Sequence, residues 1–337
     1  MPRIVPILDL ARFDQGGPQR RMFLADLRSA ARDVGFFYLA GHGIPGGEAR
    51  DVLAAARAFF ALPEADKLAI EMVKSPHFRG YTRLGGERTR GKADWREQLD
   101  VGVERPPIPQ RPGLPVWTRL QGPNQWPKRL PGLREALTAW QVRATAVAIR
   151  LLKAFALSLD QPENALEPTY SGMPNHRMKI VRYAGRHATG DDQGVGAHKD
   201  GGFLTLLLQD EHKGLQVEYD HEWVDVDPIP DTLVVNIGEL LELASNGYLS
   251  ATVHRVVTPP PGVERYSVPF FFSARLDATI PLFDLPPDLA AEARGPASDP
   301  KNPLFRGVGL NVLKSRLRSH PDVALRHYPD LVDRSVA

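Results

Sequence analysis

The sequence predicts a mainly β fold with flanking helices, folded as a single compact unit over residues 1–337. Apolar residues recur at threes and fours through much of the first half and from Leu133 to Phe155, the spacing of amphipathic helices. From Met178 to Phe272 the text changes to short alternating or continuous apolar runs set off by turn residues, which read as strands. At 337 residues and 42% hydrophobic the chain can bury a large core, and all-β barrels of this size stand as one domain.

Composition narrows the chemistry. The 42 basic and 40 acidic residues are mixed along the chain, for a net charge of +2, so no single-sign field invites nucleic acid or an anionic membrane. Cysteine is absent, which removes disulfides, thiolate zinc, iron–sulfur clusters and thiol nucleophiles together. Any metal must use His, Asp or Glu. The start, MPRIVPILDLARFD, has no apolar signal-like core, and no run approaches the ~20 apolar residues of a membrane span. A cytoplasmic location is expected, with no nucleic-acid or membrane partner.

In chain order, IVPILDL opens as a short strand. Met22, Ala25, Leu27, Ala30 and Val34 follow at helical spacing, Gly35 ends that helix, and FFYLA reads as a buried strand. His42 in GHGIP is expected to be a structural turn residue. An Ala-rich helix runs from about Gly47 to Phe60, and Pro63-Glu64 starts another. From Ser75 to Arg111 the text turns polar and rich in Gly, Arg and Glu, a loop with irregular strand. It could carry substrate contacts through Arg79, Tyr81, Thr82, Glu87, Trp95 or Arg96, or be a solvated loop closed by its own salt bridges.

Pro106 to Pro131 is a proline-heavy connector that Trp117 and Trp126 should hold to the surface. Leu133, Leu137, Trp140, Ala144, Val147, Leu151 and Phe155 then form one stripe of the longest helix, which should back a sheet. After Pro162, NHRMKIVRYAG alternates Met178, Ile180 and Arg182 against Lys179, Val181 and Tyr183. Lys179 is either a second cation of the pocket or a surface lysine. His212 and His221 fall in expected exposed turns, and Asn246-Gly247 marks a tight turn before the strand SATVHRVV. Beyond Phe272 the text loosens into an expected flap across the mouth, then closes in a helix whose His320 and His327 are expected at the surface.

Two short patterns carry the chemistry. His198 and Asp200 lie two residues apart beside the β-rich run FLTLLLQ; if they extend that strand, both side chains leave one face. His254 could add a second imidazole from a neighbouring strand. Two His and one carboxylate on one side of an ion leave positions open for substrate and oxygen, the arrangement expected of non-haem Fe(II) oxygenases. Arg265 and Ser267 also sit at i and i+2 and share a face with Phe271, which should line the substrate pocket. A guanidinium fork beside a hydroxyl suits bidentate capture of a carboxylate.

HxD, a distal His and RxS, in this order and amid these strands, resemble the 2-oxoglutarate/Fe(II)-dependent dioxygenases of the isopenicillin N synthase-like family, from about Ile4 to the C-terminal helix. The resemblance implies a double-stranded β-helix, a jelly-roll of two facing sheets, wrapped by N-terminal helices. It divides the chain into an N-terminal region (1–130), a backing helix and connector (131–172), the catalytic jelly-roll (173–280) and a C-terminal flap and helix (281–337). It implies Fe(II) on His198, Asp200 and His254, and 2-oxoglutarate with its far carboxylate on Arg265 and Ser267, helped by Tyr183. Val181 departs from the Asn that plant relatives carry two residues before that Tyr. Oxidative decarboxylation to succinate and CO2 would be coupled to hydroxylation or related C–H oxidation of a small molecule by O2, with ascorbate as a possible stimulant. Arg79, Tyr81, Arg96 and Lys179 join Phe271 as candidate substrate contacts.

Three rivals share these residues. A same-fold oxidase could fill RxS with its own substrate's carboxylate. A zinc hydrolase could use the same ligands, but no Glu general base is evident and the clamp is unexplained. A non-catalytic jelly-roll would be expected to have lost a ligand, and none is lost. The substrate and the oligomeric state are not written in these patterns.

Overall fold

The computed structural model describes residues 4–185, 192–296 and 302–332. The strands, in chain order, are β1 (Ile7–Asp9), β2 (Phe36–Ala40), β3 (Gly80–Thr82), β4 (Arg88–Thr89), β5 (Lys92–Ala93), β6 (Glu97–Gly102), β7 (Arg177–Ala184), β8 (Gln193–His198), β9 (Leu204–Gln209), β10 (Leu215–Tyr219), β11 (Glu222–Asp225), β12 (Leu233–Ile237), β13 (His254–Val257) and β14 (Glu264–Phe272). The helices are α1 (Ala11–Asp14), α2 (Gly17–Asp33), α3 (Gly46–Phe60), α4 (Glu64–Ala69), α5 (Gly132–Ser158), α6 (Glu167–Tyr170), α7 (Glu239–Ala244), α8 (Pro287–Glu292), α9 (Val308–Ser319) and α10 (Pro321–His327). Among the described residues the strands form an eight-stranded sheet, β1-β2-β12-β9-β14-β7-β6-β3, a four-stranded sheet, β11-β10-β13-β8, and the small β4-β5 ribbon.

Strand alternation divides the interior in two. On β14, Tyr266, Val268, Phe270 and Phe272 turn to one face with Leu204, Leu206 and Leu208 of β9 and Met178 and Ile180 of β7, and there they meet α2, α3 and α5. The apolar stripe of α5 fills this layer: Leu133, Leu137, Trp140, Ala144, Val147, Leu151 and Phe155 are all buried. The other face of the large sheet looks at the small one. Phe36, Tyr38, Val181, Tyr183 and Val234 pack there against Val195, Leu215, Val217 and Val256. This is the double-stranded β-helix, with helices from the N-terminal half covering one sheet.

Some elements differ from expectation. The polar stretch after Ser75 supplies β3 and β6 to the large sheet, and every residue of β6 is buried, Glu97, Gln98 and Asp100 included. Opposite charges from other segments make that possible: Lys67 and Arg182 reach Glu97, and Lys179 and Arg316 reach Asp100. His320, expected at the surface, is 1% exposed and contacts Arg316 and Glu87. His327 is half-buried with its ring bonded to the Val73 carbonyl. His42 stays in its turn, accepting the Ile44 N–H.

The stretch read as a flap is packed: Ile280 and Leu289 are buried and the Phe283 N–H bonds Ala244. Its residues 297–301 lie outside the described residues. The helix α7 had no counterpart in the sequence reading.

Candidate active site

The small sheet sets two imidazoles side by side. β13 pairs antiparallel with β8 so that His254 stands directly opposite His198, and the register shifts immediately afterwards, a bulge at the site. The two rings are 4.3 Å apart, and Phe36 packs against the His254 ring. Each Nδ1 meets the carbonyl two residues back, Gly196 at 2.8 Å and Thr252 at 3.1 Å. Those bonds place the ring proton on Nδ1 and leave each Nε2 lone pair free. Both Nε2 atoms face Asp200, at 3.6 and 3.7 Å.

Asp200 does not extend a strand, as the HxD spacing had suggested. β8 stops at His198, and Asp200 lies in the crossing to β9, where the chain passes from one sheet to the other. Backbone bonds hold that crossing: Glu239 N–H to Asp200 O (2.7 Å) and Leu240 N–H to Gly202 O (3.0 Å). Gly238 permits the approach, since a Cβ there would lie 2.1 Å from the Gly202 carbonyl. The carboxylate is aimed by Thr205 (2.5 Å) and Asn236 (2.8 Å), both donating to Oδ2.

Burial alone would push the Asp200 carboxyl up, but His254, His198 and the Thr205 hydroxyl outweigh it and hold the group far below the usual carboxylate range. Burial, reinforced by His198, pushes His254 down to about 4, so that ring is neutral near pH 7. His198 feels the same burial but is raised by its contact with Asp200. Two imidazole lone pairs and one anionic oxygen lie within 4.8 Å of one another. The site calls for positive charge beside Asp200, and a divalent transition metal supplies it.

On the face of β14 that looks toward the small sheet, Arg265 is fully buried. Its Nη2 donates to Gln209 (2.7 Å), its Nε to the His212 carbonyl (3.3 Å), and the guanidinium lies 5.0 Å from the Tyr183 ring. Nη1 is buried with no partner, and no carboxylate touches the group among the described residues. Ser267 shares the face, with Val181 and Gln209 as its cross-strand neighbours. A buried cation with an idle donor fits an anionic ligand. Val181, in the place of the plant Asn, is apolar core, and Gln209 is the polar side chain beside the clamp.

Two family models match the chain: "non-haem dioxygenase in morphine synthesis N-terminal" over residues 5–129 and "2OG-Fe(II) oxygenase superfamily" over residues 175–274. The 2-oxoglutarate-dependent dioxygenase frbJ of Dothideomycetidae sp. is 39% identical across 97% of this chain and 93% of its own length. This chain belongs to the 2-oxoglutarate/Fe(II)-dependent dioxygenases. Homoarginine-6-hydroxylase 2-ODD-C23.1 of Arabidopsis thaliana is 36% identical over 77% of this chain and 79% of its own. Among solved structures, a full-length Neurospora crassa protein in complex with alpha-KG and 5-formyluracil is 25% identical with a TM-score of 0.74, covering 93% of this chain and 96% of that one. The rice dioxygenase for auxin oxidation is 26% identical with a TM-score of 0.65, covering 93% and 95%.

Like its family, related to the isopenicillin N synthase-like enzymes, the dioxygenase uses Fe(II) and 2-oxoglutarate and couples oxidative decarboxylation of 2-oxoglutarate to substrate hydroxylation. The hydrolase and non-catalytic readings fall with that membership. The remaining candidate residues separate. Phe271 faces the cavity between the sheets, with the Arg177 guanidinium 5.6 Å from its ring. Arg96 bonds Glu87 at 2.6 Å, and Arg79 is buried with Nε unpartnered.

Lys179 is neither a surface lysine nor a free pocket cation: it is 5% exposed and grips both oxygens of Glu87, at 2.7 and 2.9 Å. Tyr81, read as a substrate contact, turns to the helix-covered face and donates to Glu97 at 2.5 Å. Sequence reasoning missed Thr205, Gln209 and Asn236. Their only signal was a lone polar residue inside the apolar runs FLTLLLQ and TLVVNIG, where an unpartnered polar group would be costly.

Proposed function

We propose that His198, Asp200 and His254 hold the Fe(II), and that Arg265 and Ser267, with Gln209 and Tyr183 beside them, hold the far carboxylate of 2-oxoglutarate. The supporting observation is a donor set of two imidazoles and an anionic Asp200 between the sheets, with a buried arginine carrying an idle N–H further along the same face of the large sheet. Bound iron and 2-oxoglutarate supply the oxidising power, with O2 as oxidant and ascorbate as a stimulant that keeps iron ferrous. The protein's part is placement. Thr205 and Asn236 fix the carboxylate rotamer, the Gly196 and Thr252 carbonyls fix the imidazoles, and the apolar residues between the sheets keep water out.

The substrate is a small molecule bound over Phe271, and hydroxylation is the outcome we assign. We place the enzyme in the cytosol, where a chain without cysteine loses nothing to the reducing conditions. Among the described residues no helix is long and apolar enough to cross a membrane. Succinate formation by the Fe(II)-loaded chain tests the reading. It should require both 2-oxoglutarate and O2, and an enzyme that never consumes 2-oxoglutarate would refute it.

A further inference from the structure

Beside Phe271 the buried charges do not balance. Glu87 is taken by Lys179 and Arg96, at 2.7 and 2.6 Å. Asp100 is taken by Gln98 (2.8 Å) and Arg316 (3.1 Å), with Lys179 at 3.7 Å. Arg79 and Arg177 are left without a hydrogen bond or ion pair to any described residue. Arg79 is 6% exposed and its Nε is wholly buried. Burial, with Arg316 nearby, pushes Arg79 down to about 10 and Arg177 to about 9. Arg79 is buried and Arg177 half-buried, and cations so placed are costly unless an anion joins them.

Sheet register places this surplus charge relative to the metal ligands. Asn236, Thr205, Phe271, Arg177 and Gly102 are successive cross-strand partners, a single row across β12, β9, β14, β7 and β6. Thr205, second in the row, bonds Asp200. Arg177 lies two strand spacings away, roughly 10 Å. The Arg79 guanidinium covers Gly102 at the row's far end, where a Cβ would come within 2.4 Å of it. The Arg265 clamp is elsewhere: Ser267 and Phe271 are four residues apart on β14, about 14 Å of strand. One 2-oxoglutarate held at Arg265 does not satisfy Arg177 and Arg79.

We propose that Arg177 and Arg79 form a carboxylate seat for the primary substrate, which is therefore a small carboxylic acid whose apolar part lies over Phe271 toward the metal ligands. This rests on the functional reading above and adds the substrate class. A monocarboxylate matches two guanidinium forks at the end of a row that is otherwise aromatic and neutral.

Calorimetric titration tests it, using the full chain with Mn(II) and saturating 2-oxoglutarate, at matched ionic strength, against benzoate, benzamide and inorganic phosphate. Benzoate should bind, benzamide at least ~10-fold more weakly, and Arg177→Gln should weaken benzoate by ~30-fold or more while retaining 2-oxoglutarate binding. The ligand-free Arg177→Gln chain should melt no lower than its parent, because it loses an unpaired, half-buried charge; a purely structural cation would leave it less stable. The seat is refuted if benzoate does not bind, if benzamide or phosphate binds as well, if Arg177→Gln binds benzoate like the parent, or if it melts well below the parent. A parent that binds benzoate through Arg177 but never binds 2-oxoglutarate would keep the seat and sink the functional reading; the reverse pattern would do the opposite.

Discussion

Asn236 and Thr205 do for Asp200 what the backbone carbonyls do for the two histidines: they choose one orientation among several. Asn236→Leu keeps the branched shape and removes the donor to Oδ2. It should weaken ferrous binding by ~10- to 100-fold, measured anaerobically by competition with a chelator, with the fold intact by circular dichroism. Arg265→Ala removes the cation of the clamp and should weaken 2-oxoglutarate by ~2 to 5 kcal/mol in direct titration; an unchanged affinity would move the clamp elsewhere. The proposed ligands and clamp were legible in the sequence, Arg-x-Ser by strand parity on β14 and His-x-Asp by its spacing alone, since Asp200 lies past the end of β8. Their supports were not, because a single Thr, Gln or Asn in an apolar strand looks the same whether it touches a ligand residue or a solvent edge.

β6 is the element at which sequence reasoning failed, and the cause is physical. Glu97, Gln98 and Asp100 gave it a polar pattern, while the charges that let it be buried come from Lys67, Lys179, Arg182 and Arg316, far apart in the chain. Glu87 belongs to the same buried set. Burial pushes its carboxyl up, but Lys179 and Arg96 overcome this and hold it well below its ordinary value of 4.5. A carboxyl depressed on folding adds stability above its unfolded value and loses it as pH falls through the folded one. Glu87→Gln should therefore cost about 3 to 5 kcal/mol at pH 7, and the gap to the parent should narrow below about pH 4.5 in urea titrations. A gap that is constant with pH would deny the carboxylate its role. In α5, Leu151→Ala should cost ~2 to 5 kcal/mol, because its site is fully buried against the sheet.

At the scale of the whole molecule, one apolar layer runs from Leu8 near the start to Tyr328 near the end. Unfolding followed by tryptophan fluorescence and by far-ultraviolet circular dichroism should therefore coincide; two separated transitions would contradict a shared core. The jelly-roll and its helical cover could be read ahead because periodicity and strand parity extend over many residues. The inward turn of α9 could not, since Arg316 and His320 look like an exposed polar face until Asp100 and Glu87 are placed beneath them.

The most direct test of the central claim is anaerobic titration of the full chain with Fe(II), followed by 2-oxoglutarate, for the parent and for Asp200→Ala. The account predicts one tight ferrous ion per parent chain, 2-oxoglutarate binding that strengthens once iron is present, and no tight iron in the variant. Parent-like iron binding by Asp200→Ala would contradict it.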